Sequence, residues 1–471
     1  MTSKGSYPGK KWGILYILGC TLLVVVGSLW VADPDVFWHL KIGEWIFWQR
    51  AVPRTDIYSW SVYGQPWIAH QWLWEVLIYS LHRYAGILGL WCLAFLMIFL
   101  TGLLLKRGLL ARGVALGNAS AAGAMAPLLL IGWLKPWPQA GVYALFSAYL
   151  FLSLRDRWGW KEVLSAAGLG LLWGNIHSTA LMFPLLLLAE TIWSFIFYPE
   201  KRKTVRLRLA AAGAAAIATL LNPHGLQLWA YAVREGLLSQ QYRENIYSWM
   251  PYVFGFNILT PIFFISIIIL FMAVRQGQEK ELAFVRAAGF WILALMSRIY
   301  APYAVLSTAA LLGLLTFKLT AEGLKRLAIL ALAAGLVLLP VRGVPPDLET
   351  VARKGEYPVE AVHLIKQRGY ENVFNDHGWG GYLLWKEVPV YIDGRNDVYG
   401  ELLTDFLHLH QTEKPLGQVL AEKGARTVLT GVNSTRDLAL RESLLWQRVY
   451  RDEDAVVYIL REKFAGNNAG N

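Results

Sequence analysis

Charge is scarce in this chain. Only 16% of its 471 residues are Asp, Glu, Lys or Arg, where a soluble domain carries about a quarter. Cysteine is nearly absent. Cys20 and Cys92 each lie in an apolar run, which argues against a disulfide framework and against a cysteine metal site. No Walker sequence, GxSxG elbow or HExxH motif occurs. Those absences remove the signs of ATP-driven transport, α/β-hydrolase chemistry and zincin chemistry. No internal repeat is present. What fills the chain is apolar: 56% of residues are hydrophobic and 22 are Trp. The reading is a polytopic membrane protein. Its net charge of +11 does not point to nucleic acid, because the basic residues cluster in short loops between apolar runs.

The apolar runs predict about eleven membrane spans. They fall near 13–31, 86–105, 114–134, 138–154, 162–177, 179–198, 208–222, 252–274, 282–297, 300–317 and 324–340. No cleavage site follows the first span, so it is read as an anchor and not as a signal peptide. A cytoplasmic N-terminus puts Lys106, Arg107, Arg112, Arg155, Arg157, Arg206, Arg208, Arg275, Arg286, Lys325 and Arg326 in inner loops. The turns near 135, 177 and 298 then lie outside with few basic residues. An odd number of spans places the C-terminal tail outside as well. Localisation is expected in the inner (plasma) membrane, with an extracytoplasmic C-terminal domain.

Two domains are expected: 1–340 in the membrane, including the outer loop 32–85, and a soluble α/β domain over 341–471. Two interfacial helices are predicted in the loop, 35–49 and 67–84, rich in Trp and suited to the headgroup layer. In the tail, helices are predicted at 358–368, 400–410, 415–423 and 434–443. Strands are predicted at 372–375, 388–392, 426–430, 446–450 and 455–460. The last residues, 465–471, read as disordered.

The candidate chemistry begins where the first span ends, at Asp33-Pro34-Asp35-Val36-Phe37-Trp38-His39. Acids at the mouth of an apolar protein are costly to desolvate and mark functional sites. Asp33 has two readings: an acid of the site, or the N-cap of a helix with Pro34 at N1. Asp35 lies four residues before His39 on one helix face. A carboxylate beside an imidazole suits general-base work or metal ligation. Lys41 has a phosphate-contact reading and a snorkelling one. Further polar residues collect at outer span ends: Asp56, His70, Glu75, Lys135, His177, Asn222, His224, Glu244, Arg298, Tyr300 and Tyr303. Each has a bland explanation alone; together they are types that bind acids, phosphates or sugars. In the tail, Asn375-Asp376-His377-Gly378-Trp379 and Asp393-Gly394-Arg395-Asn396-Asp397 follow predicted strands, where α/β folds place ligands. Turn chemistry and a local ion-pair network explain them better than a binding role does.

This arrangement resembles the GT-C superfamily of integral-membrane glycosyltransferases, which use polyprenyl-phosphate-linked sugars. The resemblance rests on Asp33-Pro34-Asp35 in a long first outer loop, followed by many spans and an extracytoplasmic tail. The wider pattern, with Trp379-Gly380-Gly381-Tyr382 and Tyr391-Ile392-Asp393-Gly394-Arg395 in the tail, is similar to an uncharacterised bacterial multi-pass group. It implies a mostly α, GT-C-like fold and transfer of a sugar from a lipid donor to a lipid, glycan or protein acceptor on the outer face. It implies Asp35 or Asp33 as base, with His39 beside them, and a divalent cation such as Mg or Mn held by Asp33 and Asp35. On position alone, Arg298 and Lys135 are the donor-phosphate candidates. His70, Glu75, His177, His224 and Tyr303 are the substrate-binding candidates. Membrane lipids are the remaining expected partners. The rival expectation is a non-enzymatic protein of lipid or polymer export, or of envelope assembly.

Overall fold

Each expected span carries a helix. The computed structural model describes residues 9–31, 33–237, 250–251, 259–277, 281–315, 319–411 and 414–461. The helices are Lys10–Ser28, the C-terminal part of Trp72–Ala111, Leu116–Leu129, Pro138–Ser153, Trp160–Ile176, Met182–Phe197, Val205–Thr219, Leu259–Arg275, Leu282–Met296, Ala301–Leu314 and Ala321–Arg342. Among the described residues, five helices are long and apolar enough to cross a membrane. The break expected between 162–177 and 179–198 is real: His177 is extended (φ −162°, ψ 147°) and a short 3-10 turn, Ser178–Leu181, follows it.

The chain divides into two compact units, Met1–Leu29 with Leu88–Val344 and Trp30–Ile87 with Pro345–Asn471. The outer loop expected to belong with the membrane part therefore folds with the tail. The dividing point is Gly86, whose φ of 56° and ψ of −150° break the helix Trp72–Ala111 in two. The part before Gly86 lies in the second unit, outside the spanning segment.

In the first unit, small residues let helices approach. The pair Gly170 and Gly174 is a GxxxG motif on Trp160–Ile176. A Cβ on Gly170 would stand 2.7 Å from Ala215 O, and one on Gly174 would stand 2.6 Å from Thr219 O. The helix Val205–Thr219 thus packs backbone to backbone against it. Large side chains such as Phe271, Leu330 and Val337 remain exposed, as a lipid surround favours.

The second unit holds a mixed sheet in the order β1-β2-β4-β3. The strands are β1 (Val373–Asn375), β2 (Thr427–Gly431), β3 (Trp446–Arg451) and β4 (Ala455–Leu460). β1 and β2 are parallel; β4 is antiparallel to both β2 and β3. The strand expected at 388–392 is reduced to isolated bridges of Val390 with Val373 and with Ser59. Pro389 removes a ladder donor there. The Asn375 side chain takes over the role, accepting from Tyr391 N (2.9 Å) and donating to Ile392 O (2.8 Å). Trp60 N then donates to Val390 O at 3.0 Å, so the loop extends the tail's sheet.

The aromatic residues of the helix Pro34–Gln49, expected to face the headgroup layer, divide: Trp48 is 56% exposed, while Phe37 and Trp38 are buried. Phe37 packs edge-on against Tyr357 and Tyr382, with ring centroids 5.3 Å apart in each case. The tail covers Phe37 and leaves Trp48 open. The second expected interfacial helix begins only at Trp72.

Candidate functional site

Two arrangements carry chemistry, one in each unit. The first is the acid helix. Asp33 is its N-cap: the carboxylate accepts from Asp35 N at 2.9 Å, and Pro34 occupies the first turn. Asp35 accepts from Trp38 Nε1 at 2.9 Å through Oδ1. Both contacts hold the two carboxylates in fixed orientations. The tail approaches them through its glycines. A Cβ on Gly394 would stand 2.2 Å from Asp35 Oδ1, and one on Gly381 would stand 2.2 Å from Pro34 O. Gly381 and Gly394 of the tail thus lie directly on this helix.

His39 is set against Glu75: Nδ1 and Oε1 are 3.1 Å apart, with the side chains only 2% and 1% exposed. Burial pushes the Glu75 carboxyl well above the usual carboxylate range, and Arg395 pulls against that shift. Glu75 Oε2 has no partner among the described residues. His70 Nδ1 lies 3.2 Å from Ile68 O in the turn before Trp72. For a divalent cation the helix offers Asp33 and Asp35, each with an oxygen already accepting a hydrogen bond. Among the described residues no group of three or more His, Cys, Asp or Glu converges. That donor set is thin for Mg or Mn, which take oxygen ligands in number.

Beside the acid helix, within the same unit, lies a closed ion network. Arg395 donates from Nη1 to Asp56 (2.7 Å) and from Nη2 to Asp393 (2.6 Å), and all three side chains are fully buried. Its Nε also donates to Asp393, and Tyr399 OH donates to Asp393 Oδ2 at 2.8 Å. Asp56 Oδ2 accepts from Ser59 N at 2.9 Å. The guanidinium faces the rings of Tyr58 and Trp67 at 5.3 and 5.1 Å. Burial works against the charge on Arg395, but Asp393, Tyr399 and Asp56 outweigh it and hold the group well above its ordinary range.

The second arrangement is a cavity of about 770 Å³ in the first unit. Its polar lining comes from His177, Thr179, Tyr300, Tyr303, Tyr149, Glu190 and Arg286, and most of the rest is apolar. His177 and Tyr303, expected from the sequence to bind substrate, both line this cavity. Lys135, His224 and Arg298 are not among its lining residues. Lys135 stacks over Trp137 at 4.8 Å. Arg298 is buried, donating from N to Met250 O (3.0 Å) and from Nε to Pro251 O (3.1 Å). His224 is buried in the turn closed by Asn222. Glu244 lies outside the described residues.

Glu190 and Arg286 were missed. Arg286 was counted as an inner-loop charge, but it sits inside Leu282–Met296 and pairs with Glu190. Arg208, counted the same way, is buried over Trp158. The signal was available: Glu190 and Arg286 are each the lone charged residue of an apolar run, the pattern that marks function in a membrane interior.

No family model matches the chain, and no curated relative matches it by sequence. Solved structures do match. ArnT from Cupriavidus metallidurans bound to undecaprenyl phosphate aligns with a TM-score of 0.56 at 15% identity, over 97% of this chain and 99% of that one. The oligosaccharyltransferase AglB from Archaeoglobus fulgidus, in complex with an inhibitory peptide and a dolichol-phosphate, aligns with a TM-score of 0.56 at 13% identity, over 90% and 70%. ArnT in the apo state gives 0.50 at 16% identity. These neighbours are GT-C superfamily glycosyltransferases. The GT-C resemblance read from the sequence therefore holds at the level of the fold.

Proposed function

We propose that this chain is a membrane glycosyltransferase that moves a sugar from a polyprenyl-phosphate donor to an acceptor hydroxyl at the outer face of the inner membrane. The observation that carries the reading is the acid helix. A capped turn presents Asp35 with its carboxylate oriented by Trp38, in a fold shared with ArnT over 97% of the chain. The acceptor is a lipid, glycan or protein.

Asp35 is the base. It takes the proton from the acceptor hydroxyl as that oxygen attacks the anomeric carbon. The bond from the anomeric carbon to the phosphate oxygen breaks, and its electron pair leaves with the lipid phosphate. Arg298 and Lys135 are the candidates for the phosphate, proposed on residue type. Asp33 acts through the helix cap and is a positioning residue. His39 and Glu75 support the same helix from within.

The test is sugar transfer from a lipid-linked donor by the purified chain. Asp35→Asn is expected to lower the rate by about 100-fold or more, the scale of a lost general base. Asp33→Asn is expected to keep both fold and most activity, because Asn caps a helix about as well as Asp. A wild-type rate for D35N would sink the assignment.

A further inference from the structure

One buried cation of the first unit has no carboxylate beside it. Lys106 was expected in an inner loop, but it lies inside the helix Trp72–Ala111 and is only 4% exposed. Its stem runs along Gly123, where a Cβ would stand 3.0 Å from Lys106 Cβ. Its ammonium reaches the first turn of Lys10–Ser28: a Cβ on Gly13 would stand 2.7 Å from Lys106 Nζ. Among the described residues Nζ makes no hydrogen bond or ion pair. The charge that acts on it is a second cation, Arg107. Ser120 Oγ, next to the same Gly13 position, is fully enclosed. Lys106 Nζ is not enclosed in that way and keeps accessible surface. An ammonium this far out of water is costly unless an anion compensates it.

Everything around Lys106 adds positive potential. Three helices start at this end of the unit: Lys10–Ser28, Leu116–Leu129 and Ala321–Arg342. A Cβ on Gly9 would stand 3.1 Å from Leu116 Cδ2 and 3.7 Å from Ala321 Cβ, so the three N-termini converge. Helix N-termini attract anions through their open N–H groups and their dipoles. The caps of the first two, Gly9 and Ala115, make no side-chain cap hydrogen bond. Lys11 and Lys325 both lie over the Trp12 ring, at 5.1 and 5.9 Å from its centroid. Lys11 is exposed, and the Lys325 side chain is 43% exposed. The acid of this cluster, Glu322, is shared between Lys325 and Arg326. Beyond the first turn of the same helices, Ile14 and Leu330 are 42% and 65% exposed, which a lipid surround favours. We propose that this end of the unit binds an anionic phospholipid: its phosphodiester accepts hydrogen bonds from Lys11 and Lys325 and compensates Lys106 at the uncapped helix N-termini. The acyl chains lie along the exposed apolar residues. A headgroup with an ammonium would return positive charge to a cationic cluster, so the site selects against zwitterionic lipids. It stands independently of any sugar transfer.

The test uses the full chain, purified in detergent and stripped of lipid. Phosphatidylglycerol, phosphatidylethanolamine and phosphatidylcholine with identical acyl chains are added at equal concentrations, and inorganic phosphate is the probe for a free anion. Retention is read by native mass spectrometry and stabilisation by thermal unfolding. Phosphatidylglycerol is expected to be retained at least about 10-fold better than either zwitterionic lipid, the scale set by two basic residues at a headgroup. It should also raise the unfolding midpoint, which inorganic phosphate at the same concentration should leave unchanged. Lys106→Met should erase most of the preference and raise the lipid-free midpoint above wild type, because an uncompensated buried charge is gone. Lys11→Gln with Lys325→Gln alters only partly or fully exposed side chains. That double variant should keep the lipid-free midpoint and lose the retention, which keeps the test sound if K106M folds poorly. Equal retention of the three lipids, an unchanged preference in K106M or unimpaired retention in K11Q/K325Q would overturn the proposal. So would stabilisation by inorganic phosphate as large as that by phosphatidylglycerol.

Discussion

Two buried arginines make an instructive pair. Arg395, in the second unit, meets Asp56 and Asp393 with every charged side chain fully buried. Tyr399 and Ser59 satisfy the remaining carboxylate oxygens. Arg286, in the first unit, is buried almost as deeply, yet its Nε and Nη2 have no partner among the described residues. Taking a guanidinium out of water costs several kcal/mol, and only good geometry with every valence met offsets it. The closed network recovers that cost inside the protein and so serves structure. The open pair leaves part of that cost unrecovered.

The sharpest way to break this contrast is Arg395→Met. It strands Asp56 and Asp393 in the interior, and the expected loss is about 3–5 kcal/mol, read as a fall in folded yield and unfolding temperature. A variant with wild-type stability would show that the network is not structural. Arg286→Leu should cost less, roughly 1–3 kcal/mol, because Glu190 keeps the hydroxyl donors Tyr149 and Ser153. The double change E190L/R286L should recover most of that loss, since apolar residues replace a buried pair well; thermal unfolding of the single and double variants checks it. Gly394→Ala probes the neighbourhood of the closed network. Its Cβ would meet Asp35 Oδ1 at 2.2 Å. A loss of about 1–3 kcal/mol is expected from the overpacking, together with slower sugar transfer; an undisturbed rate would detach Asp35 from the chemistry.

The smallest effect is at the surface of the second unit. Lys386 donates to Glu349 at 2.5 Å, and that hydrogen bond holds the Glu349 carboxyl below the usual range. A depressed carboxylate contributes stability above its unfolded pKa of about 4.3. That contribution is lost as the pH falls through the lower folded value. Both groups meet solvent, so it stays under about 1 kcal/mol. Lys386→Met should flatten this part of the acid limb, measured as unfolding midpoint against pH between neutral and about pH 3.

Much of the tail was legible because its elements are local. The predicted strands over 372–375 and 426–430 became β1 and β2 within one residue at each end. The helix expected at 358–368 is Val359–Arg368. The run at 388–392 failed because Pro389 forbids a full ladder and Asn375 substitutes for it across the chain. In the candidate site, the Asp33 cap was readable from Asp-Pro alone. The pairing of His39 with Glu75, 36 residues away, was not.

What the sequence decided by itself was periodic or nearest-neighbour: the apolar runs, the capped acid helix and the alternating elements of the tail. Helix caps and span lengths depend on residues within a turn or two, so they survive without a fold. The tertiary structure alone decided that the outer loop folds with the tail, through Trp60, Arg395 and Gly394. It alone converted Arg286 from a loop charge into half of a buried pair. Desolvation and charge pairing depend on which groups meet across long sequence distances, and that is settled only when the chain has packed.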